Sequence, residues 1–280
     1  MLKRQKILLY LISELKRQSK KITKTTLDKT LFLLKKETEI ENHAKFYSFF
    51  PHYYGPFSNQ FYFDLTDLQS KGYLDKGFSV KLPEMEINDS LSSIEKELIQ
   101  AKLSNLANKD LVKYVYDKYP EYTVKSVLKE HKEINKNPGI FTIGYEKKNI
   151  DDFLDTLIQN NIDTVVDVRA NAFSMNFTFT KAKLEHYLEK SGIKYMHIPE
   201  LGIEGKHRKE LNGDDDYSNL FHFYSKEILP KQSDKVKLLN ELGKSNRIAL
   251  LCFEQDEKHC HRGTLGKELE TQYGIAISHL

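Results

Sequence analysis

From residue 139 onward the chain alternates short apolar runs with amphipathic segments, and no other feature of the sequence constrains the fold as tightly. "IFTIGYE", "DTVVDVRA", "IKYMHIPEL" and "RIALLCFE" read as strands. Between them, "NIDDFLDTLIQNN" with Asn149 as cap, "TKAKLEHYLEKSG" from Thr180 to Gly192, two helical patterns over 216–243, and "HRGTLGKELETQYG" read as helices, with "IAISHL" as a closing edge strand. Strands that are apolar throughout are buried on both faces, and strands alternating with helices predict an α/β fold: a parallel, Rossmann-like sheet flanked by helices and joined by right-handed crossovers.

The grammar before that point is different. "QKILLYLISELKR" places Ile7, Leu8, Leu11, Ile12 and Leu15 on one helical face, and "TTLDKTLFLLKKE" repeats Leu27, Leu31 and Leu34, with Thr25 or Thr26 as the expected N-cap. Residues 45–63, "KFYSFFPHYYGPFSNQFYF", hold ten aromatics in nineteen positions. A helix end, a turn at Gly72 and a strand pair are expected to follow. Residues 90–131 read as helical, opening with a capping box from Ser92 to Glu95 and interrupted at Pro120. "KEINKNPGI" (132–140) has the polar, Asn-Pro-Gly character of a linker. The reading is therefore two domains: a helical, winged-helix-like domain over 1–134 for binding nucleic acid or a partner, and the parallel α/β domain over 139–280.

Composition narrows the class. With 280 residues, 39% hydrophobic and 30% charged, the chain can build real cores under a solvated surface. No apolar run approaches the ~18 residues of a membrane span, and the N-terminus lacks an h-region with a small-residue cleavage site, so no membrane association and no export signal are expected. Cys252 and Cys260 are the two cysteines, too few for a disulfide framework, which points to a reducing cytoplasm. The net charge of +3 conceals eleven Lys and Arg against four Asp and Glu in residues 1–40. Such a surplus suits a phosphate backbone, and equally a solvated helix.

In an open parallel sheet, ligands bind beyond the carboxyl ends of the strands. That edge collects Gly144, Tyr145 and Glu146; Asp167, Arg169 and Asn171; His197 and Glu200, with Lys206, His207 and Arg208 beyond; and Cys252, Glu254, Asp256, His259, Cys260, His261 and Arg262. A helix beginning near His261 would offer unpaired N–H groups to an anion, and Arg262, Arg169 and Arg208 add forked donors. Arg169 paired with Asp167 or Glu254 in a structural network is the competing reading.

The motifs T-I-G-Y, V-D-V-R, H-x-P-x-L-G and L-L-C-x-E-x-D-x-x-x-C-H-R, in this order over about 140–270, closely resemble the family called domain of unknown function 488. The resemblance implies functional weight for Gly144, Tyr145, Asp167, Arg169, Ser174, His197, Leu201, Gly202, Cys252, Glu254, Cys260, His261 and Arg262. The sequence departs from the family at "AFSMNFTF": Met175 stands where a basic residue usually follows the serine, and Ala172 where proline is usual. Residues 1–80, through "PHYYGPFS", resemble the Panacea-type domain of SocA-like antitoxin proteins, which implies a protein-interaction or antitoxin module. The aromatic run 45–63 itself reads as the core of a small domain, with a stacking or partner-docking surface as the alternative.

The expected chemistry is binding of a nucleotide or nucleic acid through Arg169, Arg262, Gly144, Tyr145, Ser174 and Cys252, with Asp167 and Glu254 as an acid/base pair for cleavage and His197 and His261 as proton carriers. Non-enzymatic nucleotide sensing, or an antitoxin-like interaction, needs the same charges. Cys260 beside two histidines at a helix start is the alternative nucleophile. No cofactor is expected. Zinc on Cys252, His259, Cys260 and His261 has suitable atoms, but adjacent ligands crowd one tetrahedron and no C-x-x-C pair exists.

Overall fold

The computed structural model describes residues 1–128, 137–207 and 214–280. The chain divides into two compact units, Met1–His131 and Lys132–Leu280. Most of the expected linker, and Arg208, lie outside the described residues. No described helix is long and apolar enough to cross a membrane.

The first unit begins with α1 (Lys3–Arg17) and α2 (Lys24–Glu37). The α2 N-cap is Thr23, whose hydroxyl accepts from the Thr26 amide, rather than the expected Thr25 or Thr26. A two-stranded antiparallel ribbon, β1 (Phe50–His52) and β2 (Gly55–Phe57), precedes α3 (Asn59–Ser70). The ribbon thus arises within the aromatic stretch. Where the wing was expected after the third helix, a single antiparallel bridge joins Leu74 and Val80. The reason is visible in α2: buried Lys29 donates to the carbonyls of Tyr54 (2.6 Å) and Pro56 (3.1 Å) and pins the hairpin, whose Gly55 turns at φ +89°. Next come α4 (Glu84–Asp89), α5 (Ser93–Asn105) with the predicted capping box, and α6 (Leu111–Lys118). From Pro120 to Leu128 a 3₁₀ helix and turns stand where the second helix was expected to begin; the rest of that helix, to His131, lies outside the described residues. Glu37, at the end of α2, gathers Lys102 of α5 and Lys118 and Tyr119 at the end of α6.

The second unit is the parallel α/β fold. Its elements are β3 (Gly139–Gly144), α7 (Ile150–Gln159), β4 (Thr164–Asp167), α8 (Lys181–Lys190), β5 (Lys194–His197), α9 (Asp214–Phe223), α10 (Ser233–Ser245), β6 (Arg247–Cys252), α11 (His261–Tyr273) and β7 (Ile277–His279). Asn149 caps α7 by accepting from the Asp151 and Asp152 amides. The five strands are all parallel and lie in the order β5-β4-β6-β3-β7. The chain winds outward from β3 through β4 to β5, then returns to insert β6 between β4 and β3. That reversal opens a crevice at the carboxyl ends of the three central strands. Every residue of β4 is buried, including Asp167, which is paired with Arg169, and so are Ile248 to Cys252 of β6, which is why that run is the most uniformly apolar strand.

Candidate functional site

A cleft of about 430 Å³ lies at that crevice. Tyr145 follows β3, Arg169, Asn171, Phe173, Ser174, Met175 and Asn176 follow β4, and Cys252 and Phe253 end β6; all border it. Two glycines let the loops beneath it close up. A Cβ on Gly144 would stand 1.8 Å from the Glu254 carbonyl oxygen, and one on Gly202 would stand 2.0 Å from the Ala170 amide nitrogen. Any side chain at either position would prise the loops apart.

Arg169 is buried, and four of its five guanidinium donors are engaged. It grips Asp167 bidentately at 2.8 and 2.6 Å, and it donates to the Tyr145 hydroxyl at 2.9 Å and the Phe179 carbonyl at 3.1 Å. Burial opposes the guanidinium charge, but the Asp167 carboxylate outweighs it and raises the Arg169 pKa. Asp167 is fully buried and also accepts from the Tyr195 hydroxyl at 2.7 Å. Burial and Asp167 together raise the Tyr195 pKa. His197 donates from Nε2 to the Arg169 carbonyl at 2.8 Å, fixing the loop rather than facing the cleft. The structural network weighed from sequence is therefore what surrounds Arg169. Asp167, sealed from solvent and absent from the cleft lining, lacks the access a general base requires.

Arg262 differs from the expectation in the same way. Its side chain turns inward from the start of α11, donating to the backbone carbonyls of Glu254 and Gln255 (2.9 Å to the latter). It is 1% exposed, its Nε has no hydrogen-bond partner, and no carboxylate pairs with it among the described residues. It clips the β6–α11 loop and does not border the cleft. Lys206 pairs with Glu204 at 2.7 Å, and His207 lies against Phe223 with ring centroids 5.0 Å apart.

Cys252, Cys260 and His261 form a second cluster, all buried, their ligand atoms within 4.8 Å of one another. The Cys252 Sγ lies 3.2 Å from Glu254 Oε2 and 3.6 Å from His261 Nδ1; the Cys260 Sγ lies 4.0 Å from the same Nδ1. Burial pushes the Cys260 thiol well up, and Cys252 adds to this, so as a bare thiol it is held in the un-nucleophilic form. His259 stands apart, exposed and 3.4 Å from Asp256.

Sequence reasoning singled out Met175 only as a departure from the family and missed the exposed apolar rim of the cleft. Phe173 (65%), Met175 (93%) and Phe253 (47%) border the cleft and are exposed, and Phe177 (67%) is exposed further along the same loop, while Tyr145 stacks flat on Phe179 beneath, centroids 4.3 Å apart. Their signal was the large apolar residues of "AFSMNFTF", with Phe253, at positions where neither helix nor strand would bury them all.

Residues 149–269 match the family described as domain of unknown function DUF488. The match lies within the second unit and includes the post-β4 loop, His197 and the whole run from Cys252 to Arg262. No curated protein and no solved structure is significantly similar to the chain.

Proposed function

We propose that the α/β unit is a binding domain for a phosphate-bearing ligand, a nucleotide or a single-stranded nucleic acid, received in the cleft at the carboxyl ends of β3, β4 and β6. The exposed rim carries this reading. Large apolar patches on a soluble surface mark interaction sites, and a few polar groups among aromatic rings is the make-up of a ligand pocket. Rings that present open faces stack bases of any sequence. Phe173 and Phe253 offer such faces, Asn171, Ser174 and Asn176 offer hydrogen bonds, and Lys183 of α8, 5.7 Å from the centroid of the exposed Phe177 ring further along the same loop, is the cation assigned to the phosphate. The saturation of Arg169 and Asp167 by each other favours recognition over acid/base cleavage by that pair. For the first unit, the resemblance of residues 1–80 to SocA-type interaction domains and the exposed Tyr53, Tyr54 and Phe63 support docking of a protein partner.

The test is fluorescence anisotropy of the full chain with labelled short single strands of DNA and RNA, competed with mononucleotides and inorganic phosphate. A Phe173→Ala/Phe253→Ala variant should bind at least about tenfold more weakly, since each stacked base contributes roughly 1–3 kcal/mol. Its melting temperature should hardly move. Equal binding by the variant, or inorganic phosphate competing as well as nucleotides, would overturn the reading.

A further inference from the structure

We infer that Cys252, Cys260, His261 and Glu254 form a zinc site that ties the end of β6 to the start of α11. Adjacent ligands were expected to crowd a single ion. The structure removes that objection, because the ligand set is not the contiguous run. Cys252 arrives from the end of β6, Cys260 is the extended N-cap residue of α11 (φ −133°, ψ 138°), and His261 is the first residue of the helix; His259 takes no part.

Three further observations point to a metal. One is tautomeric. His261 Nε2 lies 3.0 Å from the Val168 carbonyl, which can only accept, so Nε2 carries the proton and Nδ1 presents its lone pair to the two sulfurs. A backbone carbonyl holding the far nitrogen of a ligating imidazole is the usual outer partner of a metal-bound histidine.

Another is spacing. Tetrahedral zinc with bonds of about 2.3 Å to sulfur and about 2.0–2.1 Å to nitrogen or oxygen sets sulfur roughly 3.6 Å from either. The observed separations are 3.6 and 4.0 Å from Nδ1 to the two sulfurs and 3.2 Å from Cys252 Sγ to Glu254 Oε2. The two sulfur–nitrogen separations lie within a few tenths of an ångström of the tetrahedral value before any ion draws the ligands in; Glu254 Oε2 is close to Cys252 but stands outside the set of mutually close ligand atoms, and its side chain has to turn in to complete the site.

The last is charge. Arg262 is a buried guanidinium that donates to two backbone carbonyls but has an unbonded Nε and no carboxylate partner among the described residues, so its charge is uncompensated unless a nearby anion offsets it. A zinc ion with two thiolates, one carboxylate and a neutral imidazole carries one net negative charge. Arg262 already donates to the backbone of Glu254, so the counter-charge would sit in the same loop. Four protein ligands make a closed, structural site. Its role is to fix the loop that carries Phe253 at the cleft, and it stands whether or not the cleft takes a nucleotide.

The test begins with metal analysis of the purified full chain, expected to give one zinc per chain. After chelation, Co(II) should produce an intense thiolate-to-metal charge-transfer band that one equivalent of Zn(II) abolishes, and the chelated protein should melt several degrees lower than the loaded one. Cys252→Ser should cut the band to about half or less and weaken Co(II) binding, because one of the two thiolates is gone, and Glu254→Gln should keep it with weakened Co(II) affinity. Should Cys252→Ser not fold, wild-type protein answers alone: Zn(II) must protect both cysteines from alkylation, and chelation must expose them. A protein that purifies without metal and shows no band on adding Co(II) carries a hydrogen-bonded thiol pair, and the inference fails. A band of undiminished intensity and affinity in Cys252→Ser, or cysteines that Zn(II) does not protect, overturns it as well. Unchanged affinity in Glu254→Gln removes Glu254 from the ligand set and with it the four-ligand site inferred here.

Discussion

Residues 45–63 of the first unit and the loop after β4 in the second are both rich in aromatic rings, and the rings do opposite work. In 45–63, Phe46, Tyr47, Phe49, Phe50 and Phe61 are buried and pack edge to face: Phe46 on Tyr47 at 5.2 Å, Tyr47 on Phe61 at 6.1 Å, Phe50 on Phe57 at 5.6 Å. In the post-β4 loop, Phe179 alone goes inside, beneath Tyr145, while Phe173 and Phe177 stay out with Phe253 from the neighbouring strand. Density of aromatics alone does not mark a binding surface. A dense run is long enough to bury half of its rings as a core, leaving Tyr53, Tyr54 and Phe63 exposed. A sparse set spread over a strand-end loop cannot, and its exposure has to be maintained by other contacts. Here those contacts are the Arg169 network, which binds Tyr145, Phe179 and Asp167 into one support.

The contrast can be broken at either side. Phe61→Ala removes a fully buried ring from the first core and should cost about 3–5 kcal/mol in urea denaturation of the full chain. A loss under about 1 kcal/mol would mean that the aromatic run is loosely packed after all. Arg169→Ala should cost about 3 kcal/mol or more, because it leaves the Asp167 carboxylate buried and uncompensated. Adding Asp167→Ala to that variant should cost much less than the sum of the two single changes. If Arg169→Ala instead left stability unchanged and abolished ligand binding, Arg169 would be an anion clamp and the support role would be wrong.

The legible parts of this molecule are the local ones. Asn149 and the Ser92–Glu95 box cap helices through bonds two or three residues long, and β6 announces burial on both faces by the unbroken apolar run Ile248–Cys252. The strand-end rule also put Tyr145, Arg169, Asn171 and Cys252 at one edge, where the cleft lies, and the family resemblance added Ser174. Sequence could not say which of those side chains would face a ligand, because their partners are distant: Arg169 meets Tyr145 across 24 residues, and His261 meets Val168 across 93. Arg262 reads as an anion binder until its carbonyl partners are seen. The rim went unnoticed because "AFSMNFTF" has no secondary-structure period. The ribbon was placed after α3 instead of before it because its anchor, Lys29, lies 25 and 27 residues from the carbonyls it holds.

That anchor sharpens the contrast further, since it decides whether Tyr53 and Tyr54 are displayed on a fixed hairpin. Burial drives the Lys29 pKa down to about 8, with the nearby Asp28 carboxylate opposing the shift in part. In the unfolded chain the same amine titrates near 10.4. Below pH 8 both states hold the proton, and the native state bears the cost of a buried ammonium. Between about pH 8 and 10.4 the unfolded chain keeps a proton that the native chain has released, so stability rises with pH across that window. The gain has a ceiling of roughly 3 kcal/mol, at about 1.4 kcal/mol per pKa unit. Urea denaturation of the wild type and of Lys29→Met at intervals from pH 7 to pH 10 reads it directly, because other alkaline titrations largely cancel in the difference. The wild type should gain on the variant as pH rises. Parallel curves would mean that Lys29 keeps its charge at the hairpin carbonyls, and that the ribbon is held by a buried ammonium instead of a neutral amine.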